Sequence, residues 1–148
     1  RHFVVRTCGL YGRRGQSGKR NFVETMLRLG REKPELRIVN DQRCTPTATK
    51  DLAGAIVGLL ATTAYGTYHA TNTGDCTWAQ FAAEIFRLAN LSPRVIPITT
   101  AEYGAKAPRP GYSVLDSSKL AGLLGGQLRL WQEALEEYIE DRTPTDSA

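Results

Sequence analysis

The stretch Thr67-Tyr68-His69-Ala70, followed by Thr77-Trp78-Ala79-Gln80-Phe81-Ala82-Ala83-Glu84-Ile85-Phe86-Arg87-Leu88-Ala89 and then by Val95-Ile96-Pro97-Ile98, decides the fold class. The first and last pieces read as short strands. Between them, Thr77 and Gln80 have the spacing of a capping box, in which each side chain satisfies the other residue's free backbone N–H. The helix that follows sends Trp78, Phe81, Ala82, Ile85, Leu88 and Ala89 to one face. Strand, capped helix, strand is the unit of an α/β protein.

The same alternation extends outward. Phe3 to Thr7 reads as a buried strand, followed by a loop rich in glycine and arginine from Cys8 to Arg20. Asn21 is placed to cap a helix whose face carries Phe22, Met26 and Leu29, with Val23 and Leu27 beside them. Pro34 ends that helix, and Leu36 to Val39 form a strand. Leu52, Ala55, Ile56, Leu59 and Leu60 have amphipathic helical spacing. Asp116 begins a small helix over Leu120 and Leu124 that Gly125-Gly126 breaks. Trp131, Leu135 and Tyr138 face inward from the last helix, and both tryptophans are expected in the core. Residues from Arg142 on are polar and read as a frayed tail. The organisation expected is a last core strand and loop over 1–20, helices and short strands over 21–141, and a tail over 142–148. The strands are few and short for a complete doubly wound sheet, and the chain opens without Met in a strand-like run, as expected of a fragment.

The 148 residues carry a formal net charge of +4 and 41% apolar residues, in the range of a soluble globular domain. No apolar run is long enough to span a bilayer, and no basic-then-apolar leader opens the chain. Cys8, Cys44 and Cys76 are far apart in sequence, and the only histidines are His2 and His69. Reduced thiols and a cytoplasmic location are the expectation, with no zinc site. Residues 1–50 hold twelve Lys/Arg against four Asp/Glu, and residues 121–148 hold two against six. A basic front suits an anionic partner: a phosphate-bearing metabolite, nucleic acid, or an acidic part of the same protein.

Gly9-Leu10-Tyr11-Gly12-Arg13-Arg14-Gly15 has dinucleotide-loop spacing after a strand. Gln16 to Arg20 separate it from the next helix, however, and two arginines sit where a backbone must approach phosphate, so a loop is the better reading. A phosphate-loop match over Gly12 to Arg20 fails for want of its first glycine and its hydroxyl. Arg13, Arg14, Lys19 and Arg20 form a cationic cluster, either solvated or phosphate-facing, with no aromatic residue to stack a base. Asp41-Gln42-Arg43-Cys44-Thr45-Pro46-Thr47 is a proline-locked polar loop, readable as a turn or as hydrogen-bonding partners for a sugar or base. Asp51 suits a helix start. In Arg109-Pro110-Gly111-Tyr112-Ser113-Val114-Leu115-Asp116, the proline braces an arginine whose planar fork can pair two anionic oxygens at once.

Taken in order, Val5-Arg6-Thr7 with Leu10-Tyr11-Gly12, Asn21-Phe22-Val23 with Met26-Leu27, Asp41-Gln42 with Pro46-Thr47, Asp51-Leu52-Ala53, Pro97-Ile98-Thr99-Thr100-Ala101-Glu102-Tyr103, Arg109-Pro110 with Ser113-Val114-Leu115-Asp116 and Lys119, and Trp131-Gln132-Glu133-Ala134-Leu135 resemble the dTDP-4-dehydrorhamnose reductase family. This is an extended branch of the short-chain dehydrogenase/reductases. The resemblance implies an oxidoreductase of dTDP-L-rhamnose and polysaccharide biosynthesis, with NADPH as the cofactor of the full-length enzyme. It implies that this chain is the C-terminal half: the last strands of a Rossmann-type sheet plus the small substrate-binding domain. Asn21, Phe22, Asp41, Gln42, Pro46 and Thr47 would then line the pocket of a dTDP-4-keto-6-deoxy sugar, and Arg109 would pair with its diphosphate. Cys8-Gly9 stands where the family has Ser-Trp, Cys44 where it has glycine, and Tyr112 near its usual asparagine.

The family's Tyr-xxx-Lys pair is absent from these residues, because no tyrosine has a lysine four positions on. No catalytic residue, bound cofactor or metal is therefore expected in this chain alone. Its implied partners are the dTDP-sugar, an N-terminal Rossmann half and a second copy in a homodimer, without membrane or nucleic acid. The alternatives are a non-catalytic regulatory subunit of the same fold and a basic nucleic-acid-binding module.

Overall fold

The computed structural model describes residues 1–13, 21–105 and 107–142. In chain order the elements are β1 (Phe3–Arg6), β2 (Leu10–Tyr11), α1 (Phe22–Glu32), β3 (Glu35–Val39), β4 (Arg43–Cys44), β5 (Thr47–Ala48), α2 (Thr49–Leu60), β6 (Gly66–His69), β7 (Cys76–Thr77), α3 (Trp78–Leu88), β8 (Arg94–Ile98), α4 (Thr100–Tyr103), α5 (Ser118–Leu124) and α6 (Trp131–Glu140).

The helix starts follow the sequence signals. Asn21 Oδ1 accepts the Glu24 N–H at 3.0 Å, and Thr77 with Gln80 forms the expected reciprocal box. Asp116 takes the Ser118 N–H at 2.9 Å, one position ahead of the helix cap proper. Lys33, forced out of the helical region by the proline behind it, ends α1 in extended backbone at φ −125°. Gly125 closes α5 at φ +82°, a left-handed conformation that suits glycine.

The strands associate in pairs. β1 runs parallel to β6, β2 to β5 and β3 to β8, while β4 and β7 are antiparallel. Pro97 sits opposite Ile38 in β8, which tolerates a missing donor because among the described residues its other edge carries no partner.

The larger apolar core gathers Val23 and Leu27 from α1, Leu36 and Ile38 from β3, Phe81, Ala82 and Ile85 from α3, and Trp131 and Leu135 from α6. Each large side chain fully buried here is worth about 1.5–3 kcal/mol of transfer free energy. A smaller cluster joins Ala55 and Leu59 of α2 to Tyr68, Ala70 and Leu120. Among the described residues no helix is long and apolar enough to cross a membrane.

Several expectations need correction. The expected buried strand at the front alternates between half-buried and exposed, with Val4 40% exposed, because among the described residues β1 has a partner on one edge only. The apolar stripe of α2 buries Ala55 and Leu59 but leaves Ile56 and Leu60 in solvent. The segment Asp41–Thr47, expected as a proline-locked polar loop, contributes strand residues on both sides of a buried Thr45-Pro46. Arg142 is not frayed, since its guanidinium bonds Glu24 at 2.9 Å and its side chain is largely buried. The rest of the expected tail, and Arg14, Gly15, Lys19 and Arg20, lie outside the described residues.

Candidate functional site

A cleft of about 680 Å³ opens between α1, β3 and the chain from Tyr103 to Ser113. Its apolar wall is Phe22 at the first turn of α1, with Trp78 at the first turn of α3. Their rings lie 4.7 Å apart, and Phe22 also stacks on Phe81 at 5.6 Å with nearly parallel planes. The opposite rim is cationic. Arg37 and Arg109 both line the cleft and are solvent-exposed, and among the described residues neither is held in an ion pair.

Arg109 owes its position to the residues behind it. The Arg43 N–H donates to the Gly111 carbonyl at 2.8 Å, and the Ser113 N–H donates back to the Arg43 carbonyl at 2.9 Å. The proline-braced turn is thus stitched to β4 while its arginine stays free to meet a ligand. Gln42, the third polar group of the rim, is oriented by a 2.9 Å bond from its amide to Thr100 Oγ1.

Of the seven residues singled out in the sequence, Phe22, Gln42 and Arg109 line this cleft together. The other four have different partners. Asn21 caps α1 and donates to the Gly12 carbonyl at 2.7 Å. Asp41 accepts from the Thr100 N–H at 2.9 Å and from its hydroxyl at 2.6 Å, which ties β3 to the start of α4. These Thr100 donors hold its carboxyl below the usual carboxylate range. Pro46 and Thr47 are fully buried, and the Thr47 hydroxyl donates to the Thr45 carbonyl. Sequence reasoning missed Trp78 and Arg37. Trp78 was expected in the core, against which it does pack, but helical periodicity alone does not show that the same residue also meets a cleft.

The floor of the cleft contains Cys8 and Gly9. Gly9 adopts φ +59°, and a Cβ there would approach the Thr45 carbonyl oxygen to 2.9 Å. The Cys8 thiol is lowered to about 6, chiefly by a hydrogen bond from the Cys44 thiol, against opposing burial.

A second hollow of about 240 Å³ lies beside Tyr11, Lys50 and Arg129. Its charged groups are mutually satisfied: Glu137 pairs with both Lys50 and Arg129, and Arg129 also reaches Asp51 at 2.9 Å. No residue of the seven reaches it. Among the described residues no cluster of His, Cys, Asp and Glu could hold a metal ion.

The model of the RmlD substrate binding domain matches residues 1–143. The chain belongs to this family. Within it, the chain is similar to the spore coat polysaccharide biosynthesis protein SpsK of Bacillus subtilis, with 45% identity over 95% of this chain and 47% of that protein. It is similar to a dTDP-4-dehydrorhamnose reductase of Streptomyces griseus, with 45% identity over 91% of this chain and 45% of the relative. Among solved structures, the dTDP-4-dehydrorhamnose reductase of Bacillus anthracis, in complex with NADP, superposes with a TM-score of 0.87 at 44% identity, covering 95% of this chain and 48% of that one. The chain thus spans about half the length of the relatives it matches. Its fold class is as expected: α/β, as in the Rossmann-type dTDP-sugar reductases on which it superposes.

Among the described residues, the glycines of the front loop do not form a dinucleotide cradle. Gly9 is pressed against the Thr45-Pro46 backbone and Gly12 against Thr49, so neither offers open space to a pyrophosphate. Gly15 lies outside the described residues.

Proposed function

We propose that the Phe22–Trp78–Arg109 cleft binds the nucleoside diphosphate of a dTDP-4-keto-6-deoxy sugar, as the substrate-binding portion of an NADPH-dependent dTDP-4-dehydrorhamnose reductase. The observation that carries this reading is the pairing, in one cleft, of an aromatic wall with two guanidinium groups that have no ion pair among the described residues. A pyrimidine offers a flat apolar face to Phe22 and Trp78. A diphosphate offers the paired oxygens that an arginine fork recognises. Gln42 supplies directional hydrogen bonding between them.

Hydride transfer would require a cofactor loop and an acid-base pair that these 148 residues do not contain. Their place is elsewhere in the full enzyme, and the half-open strand β1 is a natural seat for further sheet. A homodimer and a cytoplasmic location complete the proposal, the latter in keeping with three free cysteines.

Calorimetry with dTDP, thymidine and inorganic pyrophosphate tests the reading. Binding of dTDP that exceeds both fragments is expected, since base and diphosphate would be held at once. Equal affinity for pyrophosphate alone would reduce the cleft to an anion site and overturn the nucleotide assignment. No binding of any of the three would overturn the reading altogether.

A further inference from the structure

The three cysteines, distant in sequence, converge. The Thr47 N–H donates to the Gly9 carbonyl at 3.1 Å, and a Cβ on Gly9 would lie 3.1 Å from Pro46 Cα. The Cys8-Gly9 chain therefore runs in contact with the residues that follow Cys44. At that crossing the neighbouring Cys44 side chain is the chief group favouring the Cys8 thiolate. Ser113 Oγ lies 3.6 Å from Cys8 Sγ, and its hydroxyl is shared with the Arg43 carbonyl at 3.1 Å. Cys76 is the direct neighbour of Cys44 across the β4–β7 pair.

We propose that Cys8 and Cys44 are a redox-active thiol pair at the floor of the cleft, which closes to a disulfide on reaction with a small disulfide such as oxidised glutathione. The two sulfurs differ in access as an attacking and a resolving thiol must. Cys8 is half-buried and lines the cleft, whereas Cys44 is 2% exposed behind it. They also differ in acidity, because the nucleophile in thiol–disulfide exchange is the thiolate. Hydrogen bonds from Cys44, Ser113 and the Thr45 N–H favour the Cys8 thiolate. The neighbouring Cys8 and burial push Cys44 strongly up, and burial pushes Cys76 up to about 12.

The chemistry balances without any further reagent. The Cys8 thiolate attacks one sulfur of oxidised glutathione, its disulfide bond breaks, and one glutathione leaves as thiolate. Cys44 then loses its proton and attacks the Cys8 sulfur, expelling the second glutathione. Two electrons have passed from the protein thiols to the glutathione disulfide. The resulting bridge ties the Cys8-Gly9 segment to β4 and removes a thiolate from the floor of the cleft. Occupancy of the cleft by a nucleotide is not required at any step, so the pair can be tested independently of the function proposed above.

Trypsin separates the three cysteines, placing Cys8 on peptide 7–13, Cys44 on 44–50 and Cys76 on 51–87. The reduced protein is incubated with oxidised glutathione, its remaining thiols are alkylated, and the digest is mapped by mass spectrometry. The expected product links peptides 7–13 and 44–50. A Cys8–glutathione adduct that persists beside an alkylated Cys44, a Cys44–Cys76 link, or three alkylated cysteines would each overturn the pair. The mapping needs no variant and so does not depend on any substitution folding. Cys44→Ser adds a second check: it should halt the reaction at the Cys8–glutathione adduct, whereas Cys76→Ser should leave the bridge intact.

Discussion

Asp51 Oδ2, in the first turn of α2, accepts from Arg129 Nε at 2.9 Å and from Asn72 Nδ2 at 2.7 Å, so one carboxylate joins three separate parts of the chain. Asn72 extends the link by accepting the Ala48 N–H at 2.9 Å. The Asp51 side chain is only 14% exposed, which sets this pair apart from surface ion pairs. Asp51→Ala would leave Arg129 leaning on Glu137 alone and the Asn72 amide short of an acceptor. A loss of about 2–3 kcal/mol is expected, read as a lower urea midpoint at unchanged slope. Glu32→Ala, which breaks the exposed Arg28–Glu32 pair, should cost no more than about 0.5 kcal/mol.

Asn21 tests whether a residue that suits a sugar contact serves as a cap. Its side chain satisfies the Glu24 N–H and bonds the Gly12 carbonyl, bridging the front of the chain to α1. Asn21→Ala should therefore cost about 1–2 kcal/mol of stability and leave nucleotide affinity unchanged. Thermal unfolding and calorimetry on the same sample decide it. A fall in affinity at unchanged stability would return Asn21 to the binding site.

Acid should loosen one wall of the cleft. Asp41 is held low by the Thr100 hydroxyl and N–H, and Glu102 by the Thr99 N–H and hydroxyl. Both folded-state values lie below the unfolded ones. Their stabilisation is therefore complete above the ordinary carboxylate range of about pH 4 and is lost as pH falls through the lowered values. Hydrogen exchange corrected for intrinsic rate should show the Thr100 amide losing protection on acidification. The Gln80 amide, held by the uncharged Thr77 hydroxyl, should keep its protection over the same range. Asp41→Asn should reproduce the Thr100 effect at neutral pH.

How much of this was legible in the sequence follows from the range of each interaction. Caps act over three residues, so Asn21, Thr77 with Gln80, and Asp116 announced their helices. Two-residue strands carry no period, so β2, β4, β5 and β7 gave no signal. The burial of Thr45, Pro46 and Thr47 depends on contact with Gly9, and no local pattern encodes a neighbour that far along the chain. The cleft was half visible for the same reason. Arg109 was marked by its proline, while Trp78 was concealed by an apolar periodicity that core and cleft walls share. The approach of the Cys8-Gly9 segment to the residues after Cys44 was invisible, since it arises only when β5 comes alongside the front of the chain.

Arg109 gives the sharpest test of the cleft, because its two roles separate. The turn that carries it is held through Gly111 and Ser113, and the guanidinium itself is exposed and without an ion pair among the described residues. Arg109→Ala should therefore leave the unfolding midpoint nearly unchanged. It would remove charge-assisted bonds to a diphosphate, each worth about 1.5–3 kcal/mol net, and so should weaken dTDP binding by more than tenfold. Arg109→Lys keeps the charge but loses the planar fork, and should recover only part of that loss. Thymidine has no diphosphate for Arg109 to hold, so its affinity should be the same for all three proteins. Calorimetry across these proteins and ligands separates the outcomes. If dTDP affinity is unchanged in Arg109→Ala, the diphosphate is held elsewhere in the cleft, with Arg37 the remaining cation on its rim. If thymidine affinity falls in step with dTDP, the substitution has disturbed the Phe22–Trp78 wall, and the loss says nothing about the phosphates.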